Sequence, residues 1–360
     1  MSDAPATIEP TLAPSRLHHP RLLWIARCLV AVVVAVAGAC SLGYILGPEH
    51  FWLLAEVQYL PFPFLLVPAL VAVALSWALA GPWRVAAMAA LATILTIMMG
   101  FQFHTGDAGT HRIRVMTYNV KGYLARRQPA GFAPIAREIA LQNPDILVLQ
   151  DATDLADLEE KSPGAARAIF GELHAYFNEE YVVASRFPMR ECMARHVAIL
   201  ERHHSHVRCI VAAPGVELEV MTAHFMTPRF ALNAARGAEP HALDEWRQNL
   251  RERTLQAEAL ADDVRSSRRP VILAGDLNAP ETSLVVRALL ATGLRGAFSS
   301  AGKGYGYTWG HSLRPGISFL RIDHILVGAE LAVSECFVGG DEASPHRPVV
   351  TDLYLKRNRG

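Results

Sequence analysis

The sequence predicts an α/β domain with helices packed outside two sheets, preceded by a region of three apolar helices. Uncharged apolar stretches are concentrated in the first hundred residues, whereas short β-rich segments recur after residue 112. Helical patterns lie between only some of these segments. Many strands with few helices favour two helix-covered sheets over a simple repeat of strand, helix and strand.

The apolar region contains three uncharged stretches, Cys28–Gly47, Phe62–Gly81 and Val85–Phe103. Each has about 18 residues or more, enough for a helix to cross ~30 Å of hydrocarbon. A cleaved signal peptide would be one shorter stretch, and buried helices of soluble proteins seldom lack a polar face over such a length. We therefore expect three transmembrane helices within residues 28–103, after an N-terminal tail of residues 1–27.

The basic residues predict the orientation of these helices. The loop Pro48–Pro61 contains two glutamates and no Lys or Arg, whereas arginines flank the other ends of the helices, at Arg16, Arg21, Arg27 and Arg84. Because positive residues stay on the cytoplasmic side, the tail is expected in the cytoplasm. The chain is thus predicted to be a multi-pass protein of the inner (plasma) membrane. The polar linker 104–111 and the domain 112–360 would then be periplasmic or extracellular.

The remaining composition limits the function only weakly. Lys+Arg and Asp+Glu both number 34, which argues against binding of nucleic acid through bulk positive charge. Arginines do cluster in Leu243–Val264, but they alternate with acidic residues, as on a solvated helix face. In an oxidising compartment Cys192 and Cys209 can pair if their strands are adjacent, and free buried thiols are the alternative.

Elements of the domain follow from hydrophobic periodicity. Helices are predicted at Phe132–Gln142, Leu243–Val264 and Glu281–Ala291. Strands are predicted at Ile113–Val120, Ile146–Gln150, Tyr181–Ser185, His196–Leu200, Val207–Ala213, Glu217–Phe225, Val271–Ala274, Arg321–Val327 and Val349–Leu355.

Several predicted strands end in a residue that can bind metal or phosphate. Asn119, Asp151 and His224 each stand at such an end, where ligands of α/β folds collect. A carboxylate with amide oxygens suits Mg²⁺. Taken singly, Asn119 is better explained as a turn former, Asp151 as a helix cap and His224 as a structural histidine.

The most specific segment is Val271–Asn278, in which a buried strand leads into Gly-Asp-Leu-Asn. Asp276 can accept a proton from water, and Asn278 can orient that water or bind a phosphoryl oxygen, although an Asx-turn is the alternative. Near the C-terminus, Asp323 can fix the tautomer of His346 if the two are adjacent. A protonated His346 would then stabilise charge on a phosphate.

Six motifs, MTYNV, PDILVLQD, TAHF, GDLN, RIDHI and SPHRPVV, occur in this order, and the chain resembles the endonuclease/exonuclease/phosphatase superfamily over nearly all of residues 112–356. The resemblance implies a four-layer α/β/β/α sandwich and Mg²⁺-dependent hydrolysis of phosphate esters, with Mn²⁺ as an alternative metal. It also implies roles by motif: Asn119 and Asp151 at the metal, Asp276 activating water, Asn278 at the phosphate, His346 with Asp323 at the scissile group, His224 as a second histidine, and Tyr307 with Trp309 shaping the substrate mouth.

Two residues depart from the pattern of the superfamily. Asp151 stands where Glu is usual, and Pro345 stands where Asp usually precedes His346. Both changes remove reach or negative charge near the metal, so we expect weaker metal binding than is typical.

These expectations together describe a membrane-anchored phosphodiesterase acting on phospholipid or nucleic acid. The alternatives are a phosphomonoesterase of the same fold or a catalytically weak binding module at the membrane surface. Membrane lipid is the expected partner of the three apolar helices, and the sequence indicates no protein partner.

Overall fold

In the computed structural model of the chain, residues 20–60, 63–107, 109, 111–199, 202–237, 240–313 and 316–356 are described. Most of the predicted tail, including Arg16, lies outside these residues. The chain divides into two compact units, of which the first comprises Met1–Ser41 and Pro63–Ile94 and the second comprises Leu42–Phe62 and Leu95–Gly360. The end of the first apolar helix and the segment after it, residues 42–62, therefore belong to the same unit as the α/β domain.

The helices of the described residues are α1 (Pro20–Leu46), α2 (Trp52–Val57), α3 (Pro63–Ser76), α4 (Gly81–Thr93), α5 (Gly122–Arg127), α6 (Ala133–Gln142), α7 (Thr153–Lys161), α8 (Arg167–Phe170), α9 (Arg229–Arg236), α10 (Ala242–Ser266), α11 (Leu284–Leu290) and α12 (Ala297–Ala301). A 3-10 turn covers Pro48–His50, and a π-helical turn, Ile94–Met98, extends α4.

The strands are β1 (Gln102–Phe103), β2 (Ile113–Asn119), β3 (Ile146–Gln150), β4 (His174–Asn178), β5 (Tyr181–Ser185), β6 (Met189–Ile199), β7 (Arg202–Ala213), β8 (Val216–His224), β9 (Val271–Asp276), β10 (Arg295–Gly296), β11 (Lys303–Gly304), β12 (Asp323–Val327), β13 (Leu331–Val338) and β14 (Val349–Leu355). Sheet I has the order β10-β12-β9-β8-β7-β6, and sheet II has the order β13-β14-β2-β3-β5-β4. Both sheets are mixed, because β8 and β9, and β2 and β3, pair in parallel within otherwise antiparallel sheets.

The first unit is built from apolar helices that pack through small side chains, among them Ala26, Ala72 and Ala87. Two helices, Pro20–Leu46 and Gly81–Met98, are long and apolar enough to cross a membrane. The other predicted span, Phe62–Gly81, corresponds to α3, which has 14 residues and is shorter than a spanning helix requires without flanking residues.

The two sheets face each other because their central strands are apolar on both sides. Val115 of β2 and Ile272 of β9 point into the layer between the sheets. Their neighbours Met116 and Leu273 point to the opposite faces, as the two-residue period of a strand requires.

Helices cover these outer faces. Ile135 of α6 packs on sheet II, and Leu260 of α10 and Val285 of α11 pack on sheet I. The result is the α/β architecture expected from the sequence, two mixed sheets flanked by helices.

A disulfide joins Cys192 of β6 to Cys209 of β7. The two strands are antiparallel neighbours, and a β-bulge lies between Arg190 and Met193. Of the two alternatives for these cysteines, the structure shows the pair. Cys336 is free and buried.

Candidate active site at the strand ends

The strand pairing of sheet I collects three polar side chains at one edge. His224 and Asp276 are the last residues of the parallel strands β8 and β9, and they are register partners. Asp323 is the first residue of β12 and pairs with Asp276 from the other side, because these strands run antiparallel. Strand direction therefore explains why residues a hundred positions apart lie together.

The same edge of sheet II contributes Asn119, the last residue of β2. Its amide nitrogen donates to Asp276 Oδ2 at 2.9 Å, and this hydrogen bond joins the two sheets. Below it, Gln150 Nε2 donates to Thr117 Oγ1 at 3.1 Å within sheet II and to Thr222 Oγ1 at 2.9 Å across to sheet I. The buried polar network thus holds the two sheets in a defined register beneath the site.

Asp276 is fully buried and surrounded by positive groups. The backbone N–H of Asn278 donates to Oδ1 at 2.9 Å, and His224 Nε2 and His346 Nδ1 lie 3.6 Å and 3.7 Å from Oδ2. Burial alone would raise the pKa of Asp276, but His346, His224 and Lys121 outweigh it, so the pKa is lowered. The carboxylate is therefore ionised and able to accept a proton.

His346 and Asp323 form the pair expected from the sequence. His346 Nδ1 lies 3.0 Å and 3.2 Å from the two carboxylate oxygens of Asp323. Burial would lower the pKa of His346, yet the Asp323 carboxylate reverses this effect and the pKa is raised. Ser344 holds the loop before His346 against β2. Its hydroxyl donates to the Asn119 carbonyl at 2.7 Å and accepts from the His346 backbone N–H at 3.2 Å.

A second group of ligand atoms lies on the more open side of the site. One ligand atom each of Asp151, Glu180 and His224 lies within 4.8 Å of the others, and we call these three residues the outer cluster. Glu180 Oε2 is 2.7 Å from His224 Nδ1, and Lys121 Nζ forms an ion pair with Asp151. Asp151 directly follows β3 with a left-handed backbone, φ 52°, which turns its side chain out of the strand alternation.

The charges of the outer cluster stabilise one another. Burial would lower the pKa of His224, but Glu180, Asp276 and Asp151 raise it to about 9. Burial would raise the pKa of Asp151, but His224 and Lys121 lower it. The imidazole is thus a cation between carboxylates at neutral pH.

The carboxylate oxygens of Asp151 and Glu180 fit a divalent cation. Asp276, Asp323 and His346 also have ligand atoms within 4.8 Å of one another, but all three are buried. The half-buried outer cluster is therefore the more accessible position for a metal ion. Binding there would displace the Lys121 ammonium or share Asp151 with it.

Asn278 lies next to Asp276 in a strained turn. Its φ is 47°, and its backbone N–H closes an Asx-turn on Asp276, the alternative considered from the sequence. The side-chain amide donates to the Phe225 carbonyl at 2.8 Å. Because an amide nitrogen carries two N–H donors, one donor remains for a ligand at the site.

The two aromatic residues expected at the substrate mouth have different surroundings. Trp309 forms a β-bridge with His346 and lies directly beside the buried pair. The Tyr307 hydroxyl donates to the Met99 carbonyl at 3.1 Å, and its ring stacks on Tyr305 at 5.1 Å. Their role in substrate binding stays a prediction.

Sequence reasoning missed Lys121 and Glu180. Lys121 stands two residues after Asn119, and its backbone N–H donates to Asn119 Oδ1 at 3.2 Å. Its position directly after the first motif, MTYNV, could have drawn attention to it. Glu180 lies in a turn with Glu179, and such an acidic pair has the pattern of an ordinary solvated turn.

Comparison with known proteins identifies the fold. The sequence model of the endonuclease/exonuclease/phosphatase family matches residues 116–346, well over half of the 360 residues. No curated protein sequence matches the chain significantly.

Solved structures share the architecture at low identity. An endonuclease/exonuclease/phosphatase from Bacteroides vulgatus has a TM-score of 0.53 at 16% identity, covering 69% of this chain and all (100%) of its own. Truncated TDP2 from Caenorhabditis elegans has a TM-score of 0.51 at 17% identity, covering 69% and 99%. TDP2 from D. rerio with a single-strand DNA product has a TM-score of 0.51 at 16% identity, covering 68% and 99%. With the family match over residues 116–346, the chain belongs to the endonuclease/exonuclease/phosphatase family.

Proposed function

We propose that this chain is a membrane-anchored, divalent-metal-dependent phosphodiesterase whose catalytic domain acts outside the cytoplasm. Its family consists of metal-dependent phosphoesterases and nucleases, which supports hydrolysis of a phosphate ester. The observation that carries the proposal is the 2.9 Å contact between Asn119 and Asp276, which brings the motif residues of both sheets into one site.

Asp276 is the proposed base that accepts a proton from the attacking water. Its carboxylate is ionised, and the hydrogen bonds from Asn119 and Asn278 hold it in one orientation. A divalent ion, when bound, would neutralise the phosphoryl oxygens and polarise the ester.

His346 is proposed to stabilise the charge that develops on the phosphate. Because Asp323 holds Nδ1, Nε2 is the nitrogen left to face a phosphoryl oxygen. The free N–H of the Asn278 amide would contribute a second donor. His224, held as a cation by Glu180, would add positive charge beside Asp276.

The proposed metal ligands are Asn119 and Asp151, to which Glu180 of the outer cluster can add a carboxylate oxygen. Carboxylate and amide oxygens favour Mg²⁺, with Mn²⁺ as the alternative. We propose that metal binding is weaker than is typical of the family, because the short Asp151 carboxylate is paired with Lys121.

Replacement of Lys121 with methionine should increase metal affinity. The change removes the ammonium that competes for Asp151, so the Mg²⁺ concentration giving half-maximal hydrolysis should fall by about fivefold, the effect expected of one partly buried ion pair. Lys161→Met at the exposed end of α7 is the matched control. An unchanged or higher midpoint for Lys121→Met would contradict the assigned competition.

Two classes of phosphodiester remain open as the substrate. The neutral overall charge and the apolar helices favour a phospholipid or another diester at a membrane surface. Nucleic acid is the second class, and the D. rerio relative bound to a single-strand DNA product supports only its general compatibility with the fold. A phosphomonoesterase or a weakly catalytic binding module are the alternatives.

Membrane anchoring is supported by two helices of the described residues that are long and apolar enough to span a bilayer. The proposed orientation also requires α3 to span the bilayer with its flanking residues. Arg21 and Arg27 near the start of α1 favour a cytoplasmic N-terminus. The disulfide in the domain agrees with an oxidising compartment. In bacteria, alkaline phosphatase fused after residue 356 should then be active; an inactive phosphatase on a stably expressed fusion would refute the orientation.

The direct test uses the full-length chain in detergent. Purified protein should release nitrophenol from bis-p-nitrophenyl phosphate with Mg²⁺ or Mn²⁺, and a chelator should abolish this release. Parallel reactions with phospholipid vesicles, single- and double-stranded DNA and p-nitrophenyl phosphate would distinguish the substrate classes. Folded protein that releases nothing at any metal concentration would favour the binding module.

A further inference from the structure

The segment between α1 and α3 packs against the loop that follows β9. The Tyr59 hydroxyl lies 3.3 Å from the backbone carbonyl of Asn278 and donates to it. Arg253 Nη2 donates to the same carbonyl at 2.7 Å and to the Tyr59 hydroxyl at 3.1 Å. Tyr59 and Arg253 are 5% and 1% exposed, so both donors act on Asn278 in a site shielded from water.

The same segment is hydrogen-bonded to the start of α11. The Glu49 carboxylate accepts from the Leu284 backbone N–H at 3.0 Å and from the Gln58 amide at 3.0 Å. It also accepts a hydrogen bond from Ser283, the N-cap residue of α11. These contacts hold residues 49–59 against both ends of the loop that leads from Asp276 into α11.

The turn that Tyr59 contacts has a left-handed backbone. Asn278 has φ 47°, a conformation that few residues other than glycine, asparagine and aspartate adopt. The backbone N–H of Asn278 donates to Asp276, and its side chain donates to Phe225. Tyr59 and Arg253 donate to the carbonyl of the same residue, so the backbone that presents its N–H to the Asp276 carboxylate is held on both sides.

We infer that Tyr59 is a positioning residue for the turn formed by Asp276, Leu277 and Asn278. The site is complete only when the segment between the first two apolar helices is docked on the domain. The expected loss of catalytic rate rests on the proposed function, whereas the expected loosening of the turn does not. Small displacements of catalytic groups are costly, since about 1 Å can lower a rate by ~10²-fold.

The test is Tyr59→Phe in the full-length protein. The ring keeps its edge contact with Trp246, at 6.3 Å between centroids, so the variant should fold. Loss of the hydroxyl should lower kcat for bis-p-nitrophenyl phosphate by about tenfold with KM changed less than twofold. Amide hydrogen exchange at Leu277 and Asn278 should become faster.

Two further variants sharpen the test. Glu49→Gln, which keeps the shape but weakens the attachment to α11, should change kcat and exchange in the same direction. Tyr354→Phe, at the end of β14 distant from His346, should change neither. Wild-type exchange at Leu277 and Asn278 in Tyr59→Phe would overturn the inference. If exchange quickens but wild-type protein hydrolyses no phosphate ester, the positioning role stands and the proposed function fails.

Discussion

Replacement of Asp276 with asparagine is expected to lower kcat by about 10³- to 10⁴-fold, the loss typical of an enzyme deprived of its base. The change removes the carboxylate charge that accepts the proton, while the side chain keeps its size and shape. An asparagine also presents N–H groups where Asp276 now accepts from Asn119 and Asn278, so the local hydrogen bonding is weakened as well. The expected effect is on kcat, because the base acts in the transition state.

The measurement is steady-state hydrolysis of bis-p-nitrophenyl phosphate at saturating metal. Asp262→Asn, at an exposed aspartate of α10 with 78% side-chain exposure, is the matched control and should retain wild-type rates. Thermal unfolding of Asp276→Asn must show a folded protein, since the neighbouring histidines lose a counter-charge. A folded Asp276→Asn protein with wild-type turnover would remove Asp276 from the mechanism.

Strands with both faces buried could be located from the sequence. The predicted bounds Ile146–Gln150, Tyr181–Ser185 and Val349–Leu355 agree with β3, β5 and β14, because continuous apolar stretches have few alternatives in an α/β domain. β13 was missed, since a bulge between Val333 and Glu335 breaks its alternation. β4 was missed because it is a half-exposed edge strand with a weak pattern.

The motif residues of the site could also be anticipated, since each stands where a buried strand ends. The residues that support them could not. Glu180 and Arg253 reach the site from a turn and from a helix, and no local pattern distinguishes a buried arginine of α10 from its solvated neighbours. Tyr59 lies outside the domain in sequence and joins it only through tertiary packing, so local periodicity carries no signal for it.

The second large effect is expected from His346→Gln, which should lower kcat by about 10²- to 10⁴-fold. Its imidazole is held by Asp323 at 3.0 Å in a site where it is 3% exposed. Glutamine can donate a hydrogen bond but carries no charge, so the phosphate loses a charge-assisted contact in the transition state. His174→Gln, at the exposed start of β4, is the control.

The pH dependence separates this role from a structural one. Asp323 raises the pKa of His346, and the protonated form is the one that stabilises charge. The rate should therefore hold below that pKa and fall as the pH rises through it, and His346→Gln should lack this alkaline decline.

A double-mutant cycle tests whether Asp323 acts through His346. Asp323→Asn alone should lower kcat and shift the alkaline decline to lower pH, because the imidazole loses the carboxylate that favours its proton. In the His346→Gln background the same change should have little further effect on kcat, since residues that act as one unit are strongly non-additive. If the two changes instead lowered kcat by independent factors that multiply in the double variant, Asp323 and His346 would act in different steps. Their contact would then serve the stability of the fold and not catalysis.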